Sequence, residues 1–224
     1  MSLQSPLEVH GKHEGPRGFT PWLKIWVSPR ATIRQYLDSS DPSRHMLVLA
    51  LLGGIVNALN NASAENYLDK LPVGTLIFVV LLGGMISGVI GLYLGAFLLR
   101  WSGSWFGGIG SSEDIRVAIT RGLYVPLLLT SLIWIPQLLL FGQEMFTYET
   151  PRIDSSVLLT VLLLLLGLIE LVFSVWSFII FVKAVAEAHQ FSAWKSLGSM
   201  LIPALVLSAI VIIIVIIAIR VIVQ

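Results

Sequence analysis

Cysteine is absent from this 224-residue chain, which excludes disulfides, thiol nucleophiles and thiolate metal sites at once. Charge is scarce: Asp, Glu, Lys and Arg together make up 12% of the residues, about half the share of a soluble domain. All four histidines fall outside the long apolar runs, and Glu170 is the single carboxylate inside one. Neither a Ser/His dyad nor an aspartate pair can therefore be assembled at membrane depth. A Gly-rich phosphate loop with its lysine is missing too. These gaps argue against an enzyme, and no cofactor, resident metal or nucleic-acid partner is implied. The net charge of +1 discriminates little, because in a membrane protein the distribution of charge matters more than its sum.

What the chain has instead is apolar length. Apolar residues make up 56% of it and the mean hydropathy is +0.87, which places it among membrane proteins before any motif is read. Five runs, at about 46–64, 74–99, 116–141, 156–182 and 197–223, can each cross a hydrocarbon layer of ~30 Å as a helix. The expected fold is an all-α bundle of five transmembrane helices over 42–224, with a short N-terminal interfacial helix. The first 45 residues are polar, so no cleavable signal peptide is expected and the first run stays in the mature protein.

The fourth run organises the rest. Glu170 sits near its middle, where an ionised carboxylate costs several kcal/mol unless it is paired, hydrated or protonated. Thr160, Gly167, Glu170, Ser174 and Ser177 share one helical face. Three roles suit Glu170: a protonated structural group hydrogen-bonded to Asn57, a proton relay or ligand for a polar or cationic group, and a subunit-interface group facing its copy. Asn57, Asn60 and Asn61 form a polar stripe with Gly53 and Ala64 on the first span, expected to point inward. Gln137 is the internal amide of the third span, beside Thr130 and Ser131.

The second span carries Gly84, Gly88, Gly91 and Gly95 along one side, a seam for close helix packing. It is expected to end at Arg100-Trp101, before a Gly/Ser loop in which Ser111 and Asp114 form a capping box. Pro126 and Pro136 should bend the third span or locally free its carbonyls, which a bundle interior tolerates. Asp154-Ser155-Ser156 caps the fourth helix and Lys183 closes it. A connection over 184–195 then carries Glu187, His189 and Lys195. Asp41-Pro42 reads as the opening of the first spanning helix.

Residues 1–19 read as a disordered cytoplasmic tail, in which His10, His13 and Glu14 are too sparse for a metal site. Residues 20–41 are amphipathic. Ser28-Pro29 starts a helix to Leu37, with Arg30 and Arg34 on one face and Ile33 and Leu37 on another. Trp22, Lys24, Trp26, Pro29, Arg30, Thr32 and Arg34 are candidate contacts for anionic lipid headgroups or a partner. Packing across the ends of the bundle is the equal alternative. Placing the N-terminus inside leaves only Lys70, Arg152 and Arg220 outside, out of fourteen lysines and arginines. The chain is thus read as a multi-pass cell-membrane protein, N-terminus cytoplasmic and C-terminus outside.

The run from Trp22 through Pro29-Arg30-Ala31-Thr32-Ile33-Arg34 resembles the Ypt-interacting-protein (Yip) family in its bacterial form. The Gly-rich second span, Glu113-Asp114, Ala186-Glu187-Ala188-His189 and Phe191-Ser192-Ala193-Trp194-Lys195 support the likeness. The resemblance implies five membrane helices and a cytosolic N-terminus. Eukaryotic relatives contact Rab-type GTPases and carry Asp-Leu-Tyr-Gly-Pro; this chain lacks that element, so the GTPase partner is not carried over. Two functions remain: a membrane-organising protein binding lipids, partners or a second copy, and a small transporter moving a solute, proton or lipid past Asn57 and Glu170.

Overall fold

The computed structural model describes residues 20–223; the expected tail and its histidines lie outside them. Two short helices, α1 (Thr20–Val27) and α2 (Pro29–Leu37), precede five long ones: α3 (Met46–Ala64), α4 (Val73–Trp105), α5 (Ser112–Phe146), α6 (Val157–Ala188) and α7 (Ala193–Val223). The five long helices are apolar enough to cross a membrane, and the fold is an all-α membrane bundle. Contacts close a ring in the order α3, α4, α7, α6, α5 and back to α3. The α3 start and the α4, α5, α6 and α7 ends bearing Arg100, Arg116, Arg121, Lys183 and Lys195 gather on one side, the basic end.

Several boundaries differ from expectation, each for a local reason. α3 starts at Met46, not at Asp41-Pro42, because His45 adopts a left-handed conformation (φ 59°) and the stretch before it is a turn. α4 continues past Arg100 to Trp105, where Gly107 at φ 79° lets the Gly108 N–H reach back to the Gly103 carbonyl. α6 runs past Lys183 to Ala188. Its stop is a left-handed Gln190, after which the Phe191 N–H bonds the Ala186 carbonyl at 3.0 Å. The Ser111–Asp114 capping box forms with both of its bonds, at 2.8 and 3.1 Å. Pro126 and Pro136 are absorbed without breaking α5. A wide turn over Thr120–Tyr124 precedes the first, and a tight one over Ser131–Ile133 precedes the second. Thr130 and Ser131 hydroxyls bond the carbonyls of Pro126 and Leu128 in the same stretch.

The core lies at the basic end, where Ile25, Ile33, Leu92, Ile115, Ile180 and Val185 pack together, each at most 1% exposed. A smaller cluster at the far end ties α3, α4 and α5 through Ala62, Val80, Trp134 and Phe146. Between these, α6 buries no residue from Val157 to Ile179, and α7 is exposed on every side from Ala204 to Ile216. The ring is closed at the basic end and open away from it.

Candidate intramembrane site around Glu170

Glu170 lies about 27 Å along α6 from its basic end and about 20 Å from the other end. Its carboxylate accepts a hydrogen bond from Gln137 Nε2 at 3.2 Å. Gln137 is 2% exposed, and its own carbonyl oxygen has no partner; neither does the buried Ser177 hydroxyl, about one turn beyond Ser174. Glu170, Ser174 and Ser177 line a cavity of about 510 Å³, closed opposite by Asn60, Leu127, Thr130 and Trp134. Its wall on α6 includes Leu171 and Phe178, 59% and 50% exposed, so the cavity reaches the lipid-facing surface. No lysine or arginine among the described residues pairs with Glu170. The cavity is therefore lined by one carboxylate, several hydroxyls and an amide, with no lysine or arginine among its lining residues.

Glu170 takes its carboxamide from the third span, not the first. Asn57 is exposed and lines a second cavity, of about 420 Å³, between α3, α4 and α5. Asn60 accepts from Trp134 Nε1 at 2.8 Å, which turns its amide toward the Glu170 cavity, while Asn61 is exposed. The polar stripe of α3 thus divides among two cavities and an indole. The glycine seam divides as well. A Cβ on Gly88 would collide with the Ala50 carbonyl, and one on Gly84 would lie 2.8 Å from the Ile55 Cα, so these two set the α3–α4 approach. At Gly91 and Gly95 the nearest atoms are the Tyr124 hydroxyl at 3.6 Å and Ile119 Cδ1 at 3.5 Å, and both glycines line the second cavity. The two cavities share Leu123 and Leu127 as lining.

The basic segment docks on the bundle. Thr32 and Ile33 are fully buried, Thr32 Oγ1 donates to the Ser28 carbonyl at 2.9 Å, and Pro29 is buried at the first position of α2. Arg34 meets Glu187 at 2.6 Å, and Arg30 reaches the same carboxylate at 3.8 Å and the Phe191 carbonyl at 3.3 Å. Trp26 lies edge-on to Phe173 at 5.4 Å and accepts from Trp176 Nε1 through its carbonyl. Trp22 is partly buried against the core, whereas Lys24 is exposed. Arg121 stacks over Tyr36, 4.3 Å from the ring centre, and donates to the Arg44 carbonyl. Burial pushes the Tyr36 phenol up, and the Arg121 charge works against that.

Glu187 and His189 both tie elements at this end, and Lys195 donates to the Phe106 carbonyl at 3.1 Å. His189 is 1% exposed, wedged so that a Cβ on Gly103 or Gly108 would strike its ring. Its Nε2 lies 3.1 Å from the Leu99 carbonyl, and Nδ1 has no partner. Burial holds this imidazole below the usual histidine value; the Leu99 bond and the Asp114 charge oppose it.

A family model described as the Yip1 domain matches residues 23–216. The chain belongs to the Yip1 family. Neither the curated proteins nor the solved structures compared with it include a match. The Yip1 domain match begins inside α1 and ends inside α7, so it takes in the docked segment and the cavity alike. Within this Yip1 domain, sequence reasoning missed Gly54, whose Cβ would collide with the Gly84 carbonyl, and Tyr124, which packs on Gly53 and bonds the Gly88 carbonyl at 3.1 Å. The adjacent Gly53-Gly54 pair in an otherwise leucine-rich run was the available signal for both.

Proposed function

We propose that this protein organises the membrane by binding a lipid or membrane-embedded group in the cavity around Glu170. The observation that carries the reading is a carboxylate at mid-span, bonded to one amide and lining a cavity open toward lipid, beside a Ser177 hydroxyl that has no partner. A buried polar group left unpaired is costly, so a donor-bearing occupant gains affinity there. The reading involves no turnover. The N-terminal segment serves mainly as a docked cap, since Arg34 and Arg30 are engaged by Glu187. Lys24 and Arg44, both exposed, remain as contacts for anionic headgroups on the cytoplasmic side of the cell membrane, with the C-terminus outside.

The test is retention. Purified in mild detergent, the wild-type protein should keep an amphiphile, detected by mass spectrometry, that Glu170→Gln releases while unfolding at a similar midpoint. Equal retention by both would overturn the reading. If Glu170→Leu unfolds while Glu170→Gln keeps the occupant, the residue is structural. The two cavities lying on either side of Leu123 and Leu127 favour a second reading, a small transporter. Proteoliposome flux that depends on Glu170 would support it, and flux equal to empty liposomes would dismiss it.

A further inference from the structure

The Asn57 cavity supplies what the Glu170 cavity lacks: a mainly apolar slot, set against it across the shared Leu123 and Leu127. Past Asn57, Ser87 and Tyr124, its walls are glycine and hydrocarbon, from Gly91 and Gly95 to Leu99, Ile119 and Phe181 at its basic end. Gly91 and Gly95 are free of the helix contacts that occupy Gly84 and Gly88, so their missing side chains leave space and not a packing surface. Glu170 and Phe181 are three turns apart on α6, about 16 Å of rise. The polar end is independently marked as a ligand position by the buried Ser177 hydroxyl, which lines the Glu170 cavity and lacks a partner.

We infer that the two cavities join past Leu123 and Leu127 and together take one single-chain amphiphile whose headgroup donates hydrogen bonds, such as a long-chain amine. Its donor group sits on Glu170 and its hydrocarbon tail runs between Gly91, Gly95 and Ile119 toward Leu99 and Phe181. The amphiphile enters from the end away from the basic one, where α6 and α7 leave the ring open. In that pose it keeps the direction of a lipid of that leaflet but is drawn inward to mid-depth. Anionic headgroups are disfavoured, because they would face the Glu170 carboxylate with no lysine or arginine lining the cavity to offset the repulsion. This assignment rests on the proposed binding at Glu170 and adds the chain slot and the headgroup chemistry.

The experiment uses the full chain in phosphatidylcholine proteoliposomes and a hexadecylamine bearing a photoreactive diazirine at its tail. Adducts mapped by peptide mass spectrometry should fall on Leu99, Ile119 or Phe181. Unlabelled hexadecylamine should compete them away, and hexadecyl sulfate should not. Gly95→Leu and Gly91→Leu, which fill the slot, and Glu170→Gln should each cut that labelling by about tenfold, with unfolding midpoints reported for every variant. If labelling depends on Glu170 but the adducts map to Leu164 or Leu168 and ignore both glycine variants, the slot assignment is wrong and the Glu170 site survives. If competition fails and adducts scatter over Leu205–Ile216, both readings fall. The wild-type adduct map decides the matter even should a glycine variant not fold.

Discussion

At the basic end, α6 buries Ile180, Val182, Ala184 and Val185 against α2, α5 and α7; farther along the same helix, from Val157 to Ile179, nothing is fully buried. The exposed stretch is the more apolar of the two, since Lys183 and Glu187 both lie in the short buried one. What separates them is their neighbours. The first has a cap of α1 and α2, a salt bridge and a histidine wedged between glycines. The second has a carboxylate, three hydroxyl-bearing side chains and open space. Stability is concentrated in the closed half, and the groups that suit a ligand are concentrated in the open one.

That division can be broken from either side. The largest effect is expected at the α3–α4 contact: Gly88→Leu forces a side chain into the Ala50 carbonyl and should cost at least about 3 kcal/mol, or abolish folding. Gly91→Leu, one turn away in the open cleft, should change stability by less than about 1 kcal/mol. Denaturant titration in micelles compares the pair, and equal losses would erase the distinction between the packed and the cavity-lining glycines of α4.

The latch comes next. Arg34→Ala and Glu187→Ala should show a coupling of about 1 kcal/mol in a double-mutant cycle, modest because the arginine side chain is 40% exposed. A coupling of zero would mean that the α2 cap is held by Ile33 and Tyr36 alone. Smaller again, Gln190→Gly should stabilise by about 0.5–1 kcal/mol, since a left-handed residue there suits glycine better.

The weakest signal is expected from pH. Because the folded His189 is held below its ordinary value, the unfolded chain takes up the proton first as pH falls. Stability should thus be steady above about pH 6.5 and decline below it. The decline should be shallower in His189→Asn, read as the thermal midpoint followed by tryptophan fluorescence. A midpoint that rises on acidification would reverse the sign.

Much of this was legible in the sequence. The all-α membrane bundle and its five spans follow from hydrophobic length, and Ser111 with Asp114 announced the start of α5 through a capping box that the structure forms. The ends of α4 and α6 were not legible. Gly103 and Ser104 look like loop residues but complete a helix, and α6 stops at a glutamine in a conformation where sequence rules look for glycine. Glu170 was visible as a lone intramembrane acid, with Ser174 and Ser177 on its face. Its bonding partner was not, because helical periodicity fixes which face a residue occupies and says nothing about which neighbouring span meets that face. Asn57 and Gln137 were equally eligible, and the wide turn at Thr120–Tyr124, which no periodicity reports, rotates α5 downstream of it.

The most direct measurement is the reactivity of Glu170 toward a hydrophobic carbodiimide, which reaches carboxyl groups open to the apolar phase. In membranes, Glu170 should be modified ahead of Asp114 and Glu187, and prior incubation with hexadecylamine should protect it. A Glu170 that stays unmodified while those carboxylates at the basic end react would contradict a lipid-accessible acid at the centre of the open half.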